Sequence, residues 1–487
     1  MLPYKNLIII DKTSHIAVFK QIAVQFIGLI QKGKLLPGTK LPSTRALAYD
    51  LGLHRKTIMA AYDSLVSEDW IDSLPRKGYI VSPNLPFVKP RSYNSNGLSA
   101  YENEPGFIFD SLSSYINPSS PSKKHELIID DGLPDTSLLS PGIMLAGYRK
   151  ALDYPTLKKI STGWDLEGSL DFRNSLCHFL NQTRGIDITT ENLLTARGAQ
   201  MAIYLSASLI IKPGDKVIVS DPSYFFANMI FERFGAELIY VPVDHDGMCT
   251  EVLEELLKKH SVKLLYVIPH HHHPTTVTMS TARRNELLIL IKKYQIAVIE
   301  DDYDYDFQFE YAPYLPLASG DHEGNIIYIG SLTKVLGAPF RLGYIVAAKK
   351  FIRSAAKQRL LIDLRGDVFT EQVVSGLIEN GELTKLIQKA NKLYRHRCHF
   401  AAELFAKQLG GIVQLTKPNG GMALWLQFKN DFPLAKVIAN AKGLKIIGSV
   451  YSKERNSNFN AFRFGFASLN DEEIIKAIDI LKTTIHK

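Results

Sequence analysis

Four short apolar runs, Val217–Ser220, Leu264–Ile268, Ala297–Glu300 and Ile326–Gly330, alternate with stretches of helical spacing such as Thr250–His260 and Thr281–Tyr294. No other feature constrains the fold as tightly. Strand, helix and strand in repeated succession imply a mainly parallel sheet with crossover helices. In such a sheet ligands gather beyond the C-terminal ends of the strands. The residues just after each apolar run are therefore the first candidates for chemistry.

The run ending at Ile329 is broken by Gly330, and a hydroxyl-rich turn then delivers Ser331, Thr333 and Lys334. Arg341 follows, and then a second strand-like run, Gly343–Ala347. A lysine just past a buried strand end loses solvation, which lowers its pKa and makes the amine nucleophilic. Hydroxyls and an arginine beside it can hold a phosphate, and the combination is what a Schiff base with pyridoxal phosphate requires. Upstream, Ile296–Glu300 leads into Asp301, Asp302 and Tyr303. A carboxylate there can pair with a protonated pyridine nitrogen, and a tyrosine two residues on can reach the ring's phenolic oxygen. Gly198, Ala199 and Gln200 open a helical pattern (Met201, Ile203, Leu205), and so offer free N–H groups to a phosphate. Tyr224, in Asp221-Pro-Ser-Tyr, is an aromatic suited to stacking on a ring.

Taken together these motifs resemble fold-type I aminotransferases, over roughly residues 125–487. The resemblance implies that Lys334 is the Schiff-base lysine, Asp301 the partner of the pyridine nitrogen and Tyr303 that of the phenolic oxygen. It further implies that Tyr224 stacks on the cofactor while Gly198, Ala199, Gln200, Ser331 and Arg341 form the phosphate cup. The pattern turns to helices from about Phe351, then to Gly420–Phe428 and Phe462–Phe466, which resembles the smaller α+β domain of that fold, about 351–487.

Arg463 lies on a late apolar strand, and a buried arginine needs an anionic partner. It matches the position at which aminotransferases hold a substrate α-carboxylate; an internal salt bridge is the other reading. Lys453 is a second candidate for that task, and Trp164 could reach a neighbouring subunit's cofactor or lie in the core. The run His270–His273 invites a metal reading, but neighbours on an extended segment point to alternate sides, so no metal site is expected. Aminotransferases carry an Asn-Pro-Thr-Gly loop here, and a subfamily of regulators with an aminotransferase-like body carries His-Gln-x-Pro, which this stretch resembles. His271 matches their histidine and is expected at the cofactor, His272 replaces the glutamine, and Thr276 replaces a glycine.

Residues 1–82 differ in character, with 11 Lys/Arg against 6 Asp/Glu, most of the chain's net +8. His15–Ile30 has helical apolar spacing and Gly33 ends it. Ser43 can cap a helix through Leu47 and Ala48, Asp50–Leu53 turns, and His54–Glu68 forms a second helix: a helix-turn-helix outline. His54, Arg55, Lys56 and Thr57 open that second helix, where base edges and phosphates are met in a major groove. Two apolar runs flank Leu74-Pro-Arg76-Lys77-Gly78, a hairpin wing with a basic tip. The stretch from Leu35 to Ile71 resembles the winged helix-turn-helix of GntR-type bacterial regulators, which implies double-stranded operator DNA contacted by Ser43, Thr44, Arg45, the 54–57 turn, Arg76, Lys77 and Gly78.

Residues 83–124 are rich in Pro, Ser and Asn and read as a tether. Head, tether and aminotransferase-like body in that order resemble the MocR/GabR subfamily of GntR-type regulators. That resemblance implies a head-to-tail homodimer and a small amino-acid or amine effector sensed through pyridoxal phosphate. A working aminotransferase with an incidental head is the alternative, and a cofactor-free dimerisation body a third. At 487 residues and 46% hydrophobic content the chain can bury several cores. Cys177, Cys249 and Cys398 have no metal or redox spacing, and no apolar run suits a signal peptide or a membrane span, so a cytoplasmic protein is expected.

Overall fold

The apolar spacing of the first segment closes into a helix, Val18–Gln31, whose Ile22, Phe26 and Leu29 are buried together with Ile58, Tyr62 and Leu65 of the helix Arg55–Ser67. In this computed structural model the described residues are 4–11, 13–85, 107–108, 127–163, 165–309, 314–448, 450–451 and 459–486. The expected tether, apart from residues 83–85 and 107–108, lies outside them, as do Trp164 and Lys453. The chain divides into two compact units, Met1–Asn117 and Pro118–Lys487.

In the first unit Ser43 Oγ accepts from the Ala46 N–H at 3.2 Å and starts the helix Thr44–Leu51. Gly52 ends that helix at φ +62°, a left-handed turn that favours glycine. His54 then caps the next helix, its Nδ1 accepting from the Lys56 N–H at 3.2 Å. The buried Tyr62 hydroxyl donates to Pro42 O at 3.0 Å and ties the two helices together. β1 (Ile71–Leu74) and β2 (Gly78–Val81) pair antiparallel, with Lys40 bridging to Ile80 on the other side. Arg76 (φ +61°) and Gly78 (φ +97°) shape the tip between them. One element was not expected: the helix Tyr4–Leu7, which sets Tyr4 against Phe26 at 5.7 Å between ring centroids. Four residues carry no periodicity, so only tertiary contact defines it.

The second unit is built on an eight-stranded sheet. β3 is Leu127–Ile129, and the sheet strands are β4 (Leu193–Ala196), β5 (Lys216–Asp221), β6 (Glu237–Asp244), β7 (Gly247–Met248), β8 (Val262–Val267), β9 (Ala297–Asp302), β10 (Ile326–Ser331) and β11 (Gly343–Val346). Their spatial order is β4-β11-β10-β9-β8-β5-β6-β7. β10, β9, β8, β5 and β6 run parallel, as the alternation implies, while β11 is antiparallel to both β10 and β4. Side chains divide with period two: Ile218, Leu265, Val298 and Tyr328 enter one core, and Val219, Leu264, Ile299 and Ile329 the other.

Towards the C-terminus, β12 (Val413–Gln414), β13 (Ala423–Phe428), β15 (Val450–Tyr451) and β16 (Ala461–Gly465) form an antiparallel sheet in the order β12-β13-β16-β15. β14 (Leu444–Ile446) instead pairs parallel with β3, so the beginning of the body is drawn into its end. Among the described residues no helix is long and apolar enough to cross a membrane.

Replacing Tyr62 with Phe strands a buried carbonyl, and such a loss costs about 1–3 kcal/mol. Thermal unfolding of the full chain should show a lowered transition for the Tyr62→Phe head; an unchanged transition would remove this bond from the account.

Candidate functional site

Five loops converge because their strands point the same way. β4, β5, β8, β9 and β10 are mutually parallel, so the residues following each of them emerge at one end of the sheet. Opposite neighbours are set by register, with Ile329 facing Asp301 and Gly330 facing Asp302. Three consecutive carboxylates end β9, and the pleat separates them. Glu300 accepts from the Leu317 and Ala318 N–H groups at 2.7 and 2.8 Å, and Asp302 accepts from the Tyr328 hydroxyl at 3.0 Å. Asp301 turns the other way: its Oδ2 accepts from Tyr266 Oη at 2.7 Å, and its buried Oδ1 has no hydrogen-bond partner among the described residues. Burial pushes this carboxyl up to about 7, against the Tyr266 hydrogen bond that favours the charged form.

Lys334 lies in the short helix Thr333–Leu336, half-buried, and its Nζ donates to Gly132 O at 2.6 Å. The same nitrogen lies 5.6 Å from the centre of the Tyr303 ring. Burial lowers the amine's pKa; the carboxylates of Asp304 and Asp131 pull it back up, and Arg463 presses it down again. The Tyr303 hydroxyl donates to His271 O at 3.0 Å. Lys334, Tyr303 and Asp301 are thus on one side of one sheet end.

The expected phosphate cup also comes together. Gly198 opens the helix Gly198–Ile210 at φ +77°, and a Cβ there would stand 3.0 Å from Arg341 Nη2. The left-handed φ favours glycine here, and a side chain would press on the guanidinium. A Cβ on Gly343 of β11 would meet the Gly198 carbonyl carbon at 2.7 Å, so strand and helix start are in backbone contact. Ser331 Oγ accepts from the Thr333 N–H at 3.2 Å, and the buried Thr333 hydroxyl faces Leu342 O at 3.5 Å. Gln200 Oε1 accepts from Tyr224 Oη at 3.3 Å, which brings the aromatic over from the end of β5, and Ala199 sits between Gly198 and Gln200 in the first turn.

The four histidines take four different partners. His270 Nε2 meets Tyr314 O at 2.8 Å; His272 is held between Ser220 Oγ and Thr275 Oγ1, both at 2.8 Å. His271 turns to Asp304, Nδ1 to Oδ1 2.9 Å, and packs against Gly420 and Gly421. His273, not singled out from sequence, is the one whose ring meets Tyr224, at 4.9 Å between centroids, and it approaches Tyr303 at 6.4 Å. Positive φ at His271 (+43°) and at Thr276 (+62°) re-aims the loop, which a straight alternation of sides does not anticipate. Thr276 thus holds the left-handed geometry that a glycine adopts freely.

Arg463, on β16, is buried and paired: Nε lies 2.8 Å from Asp131 Oδ1, and Nη1 donates to Pro274 O at 3.1 Å. The other Asp131 oxygen meets His273 Nε2 at 2.8 Å. Asp131 and Gly132, which follow β3, carried no sequence signal; their place at the site depends on β3 pairing with β14.

In the first unit Ser43, Arg45, His54, Arg55, Lys56, Arg76 and Lys77 are exposed, Thr57 and Gly78 half-buried, and Thr44 buried. Thr44 Oγ1 accepts from Arg55 Nε at 3.3 Å, so it positions the arginine of the second helix. A basic helix start and a basic hairpin tip are the parts needed for phosphate contacts in a groove.

Comparison with known proteins covers both units. Residues 148–481 match the family model described as aminotransferase class I and II, and residues 20–81 the one described as bacterial regulatory proteins, gntR family. The aromatic-amino-acid aminotransferase 1 of Thermococcus litoralis is 30% identical over 344 residues, 69% of this chain and 80% of its own. YdeL of Bacillus subtilis, named an uncharacterized HTH-type transcriptional regulator, is 26% identical over 477 residues, 97% of this chain and 98% of its own. The solved structure of a Pyrococcus horikoshii kynurenine aminotransferase in complex with PMP superimposes with a TM-score of 0.68 at 27% identity, covering 74% of this chain and 91% of that one.

Burial, then the charges of His273 and Arg463, hold the His272 pKa down from 6.5 to about 3. A lowered folded value means the unfolded chain binds the extra proton first, so this histidine's stabilisation is complete above about pH 6.5 and is lost as pH falls toward 3. Gln can keep both hydrogen bonds without titrating. Between about pH 7.5 and about pH 5 the melting temperature of the His272→Gln protein should therefore fall less than that of the parent; an equal fall would contradict a neutral buried ring.

Proposed function

We propose that this chain, which belongs to the aminotransferase class I and II family and carries a GntR-type winged helix-turn-helix at its head, is a pyridoxal-phosphate-dependent transcriptional regulator that senses an amino acid or amine. The observation that carries the reading is the presence in one chain of two complete parts. One is a capped helix with a basic first turn, and the other a buried carboxylate facing a desolvated lysine across one sheet end. Similarity to a full-length relative named as a transcriptional regulator supports the same combination.

The residues present fit the cofactor of this pyridoxal-phosphate-dependent family. The unpartnered Asp301 Oδ1 suits a ring N–H, and the contact of Gly198 with Arg341 suits a phosphate. Gly198, Ala199, Gln200, Ser331, Thr333 and Arg341 would hold that phosphate, Tyr224 would stack on the ring, and Tyr303 with the His271 loop would flank its phenolic oxygen. The bound group supplies an electrophilic carbon conjugated to an electron-withdrawing ring. The chain supplies the rest: Lys334 a desolvated amine, Asp301 a buried carboxyl with one unpartnered oxygen, and Arg463 a buried guanidinium. An effector amine that takes the place of Lys334 changes the contacts of that side chain, including its bond to Gly132 O, and so can bias one state of the body over another.

We read the assembly as a cytoplasmic head-to-tail homodimer that carries two heads on tethers, at about residues 1–82 and 83–124, with the body at 125–487 and its smaller part from about 351. Exposed Leu152, Tyr154, Leu361, Ile362 and Leu364 on the second unit support a further protein contact. A working aminotransferase is the second reading, favoured by the family match and by the presence of both Lys334 and Asp301. Steady turnover of an amino acid with a 2-oxo acid distinguishes it from a sensor that binds without cycling.

The experiment is selection of bound sequences from a random duplex pool by the full chain, followed by titration of the selected duplex. Arg55→Ala with Lys56→Ala should weaken binding and reduce the log–log salt slope by about 0.9 for each phosphate that the variant no longer neutralises. Binding and salt slope equal to those of the parent would overturn the DNA-binding role of this helix.

A further inference from the structure

Arg463 is the obvious seat for an effector's carboxylate, and the chain has already put a carboxylate in it. A guanidinium grips a carboxylate through two adjacent N–H groups. Here the Asp131 carboxylate lies against one edge as an ion pair, Oδ1 2.8 Å from Nε without hydrogen-bond geometry, and on the other edge the Pro274 carbonyl accepts from Nη1 at 3.1 Å. Asp131 Oδ2 extends to His273 Nε2 at 2.8 Å, and His273 in turn borders the Tyr224 ring. Burial pushes the Asp131 carboxyl up, but the charges of His273 and Arg463 outweigh it and keep the group ionised.

Asp131 is held where it is. Its neighbour Asp130 accepts from the Gly132 and Leu133 N–H groups at 2.8 and 2.7 Å and from Ser468 Oγ at 2.6 Å. Gly132 sits at φ +93°, with Met422 Cβ 3.3 Å from where a Cβ would be. The carbonyl of Gly132 is the one that accepts from Lys334 Nζ, so the carboxylate is one residue from the contact of the reactive amine.

We propose that Asp131 is a specificity-determining residue that occupies the α-carboxylate seat, so that the site takes primary amines with no carboxylate on the amine-bearing carbon in preference to α-amino acids. An α-amino acid entering here brings a second carboxylate against the first in a buried pocket, and like charges placed so are repelled. An amine brings none, and leaves the Asp131–Arg463 pair intact. This inference rests on the reading of the body as an amine sensor and narrows its ligand class.

The test is calorimetric titration of the cofactor-loaded full chain with matched pairs: L-phenylalanine and phenethylamine, L-leucine and 3-methylbutylamine, L-lysine and cadaverine. In the parent protein the amine of any pair that binds should bind at least about tenfold tighter than its amino acid. Asp131→Asn should narrow or reverse that ratio, and Asp131→Gly should do the same should the amide variant fold poorly. Equal or tighter binding of the amino acids by the parent overturns the inference and leaves the sensor reading standing, as does a ratio unchanged in a folded variant. No binding of either series overturns both.

Discussion

The site depends on one carboxylate kept in a place where water would otherwise solvate it. Asp301 is buried at the end of β9, with one oxygen satisfied by the Tyr266 hydroxyl and the other without a partner among the described residues. Burying such a group is costly unless something cationic completes it. The sheet bears that cost because β8, β9 and β10 are locked in parallel register, and Tyr266 and Asp301 project from adjacent strands. Lys334 then follows from geometry: it lies in the short helix just past the end of β10, the strand that pairs with β9 beside Asp301.

Around this pair the chain has arranged its charges so that few are free. His272 is kept neutral between two hydroxyls, His271 is spent on Asp304, and Arg463 and His273 share Asp131. A buried pocket in which Arg463 already has a counter-ion does not attract carboxylates indiscriminately; it discriminates by what must be displaced. That view joins the sensing role to the ligand class, since a ligand that disturbs least binds best. It also places the point of change at the bond from Lys334 to Gly132 O, which joins β10 to the segment after β3 and thereby to the sheet partner β14.

How much of this could be read beforehand depended on the distance over which each fact is encoded. Parallel strands, the helix start at Gly198 and the capped turn from Ser43 to His54 are local, written in spacing and in the residue types of a few neighbours, and the family descriptions of both units agree with them. That Lys334, Asp301 and Tyr303 stand at one end of the sheet was legible because each lies within a few residues of the end of an apolar run. Tyr266 was not, because a tyrosine inside an apolar strand reads as core until its neighbour strand is known. Asp131 was invisible for a stronger reason: nothing near it in sequence signals Arg463, and the two meet only through the pairing of β3 with β14. The histidine run illustrates an intermediate case: the run was flagged, but the contact of the His273 ring with Tyr224 depends on the turn of the loop and has no local signal.

The central claim is that Asp301 fixes a positive charge on the ring nitrogen of a bound pyridoxal phosphate. Nitrogen-15 NMR of the full chain loaded with ring-labelled cofactor reads that proton directly. The account predicts a protonated nitrogen in the parent and loss of the proton in Asp301→Ala. A neutral ring nitrogen in the parent protein would contradict it.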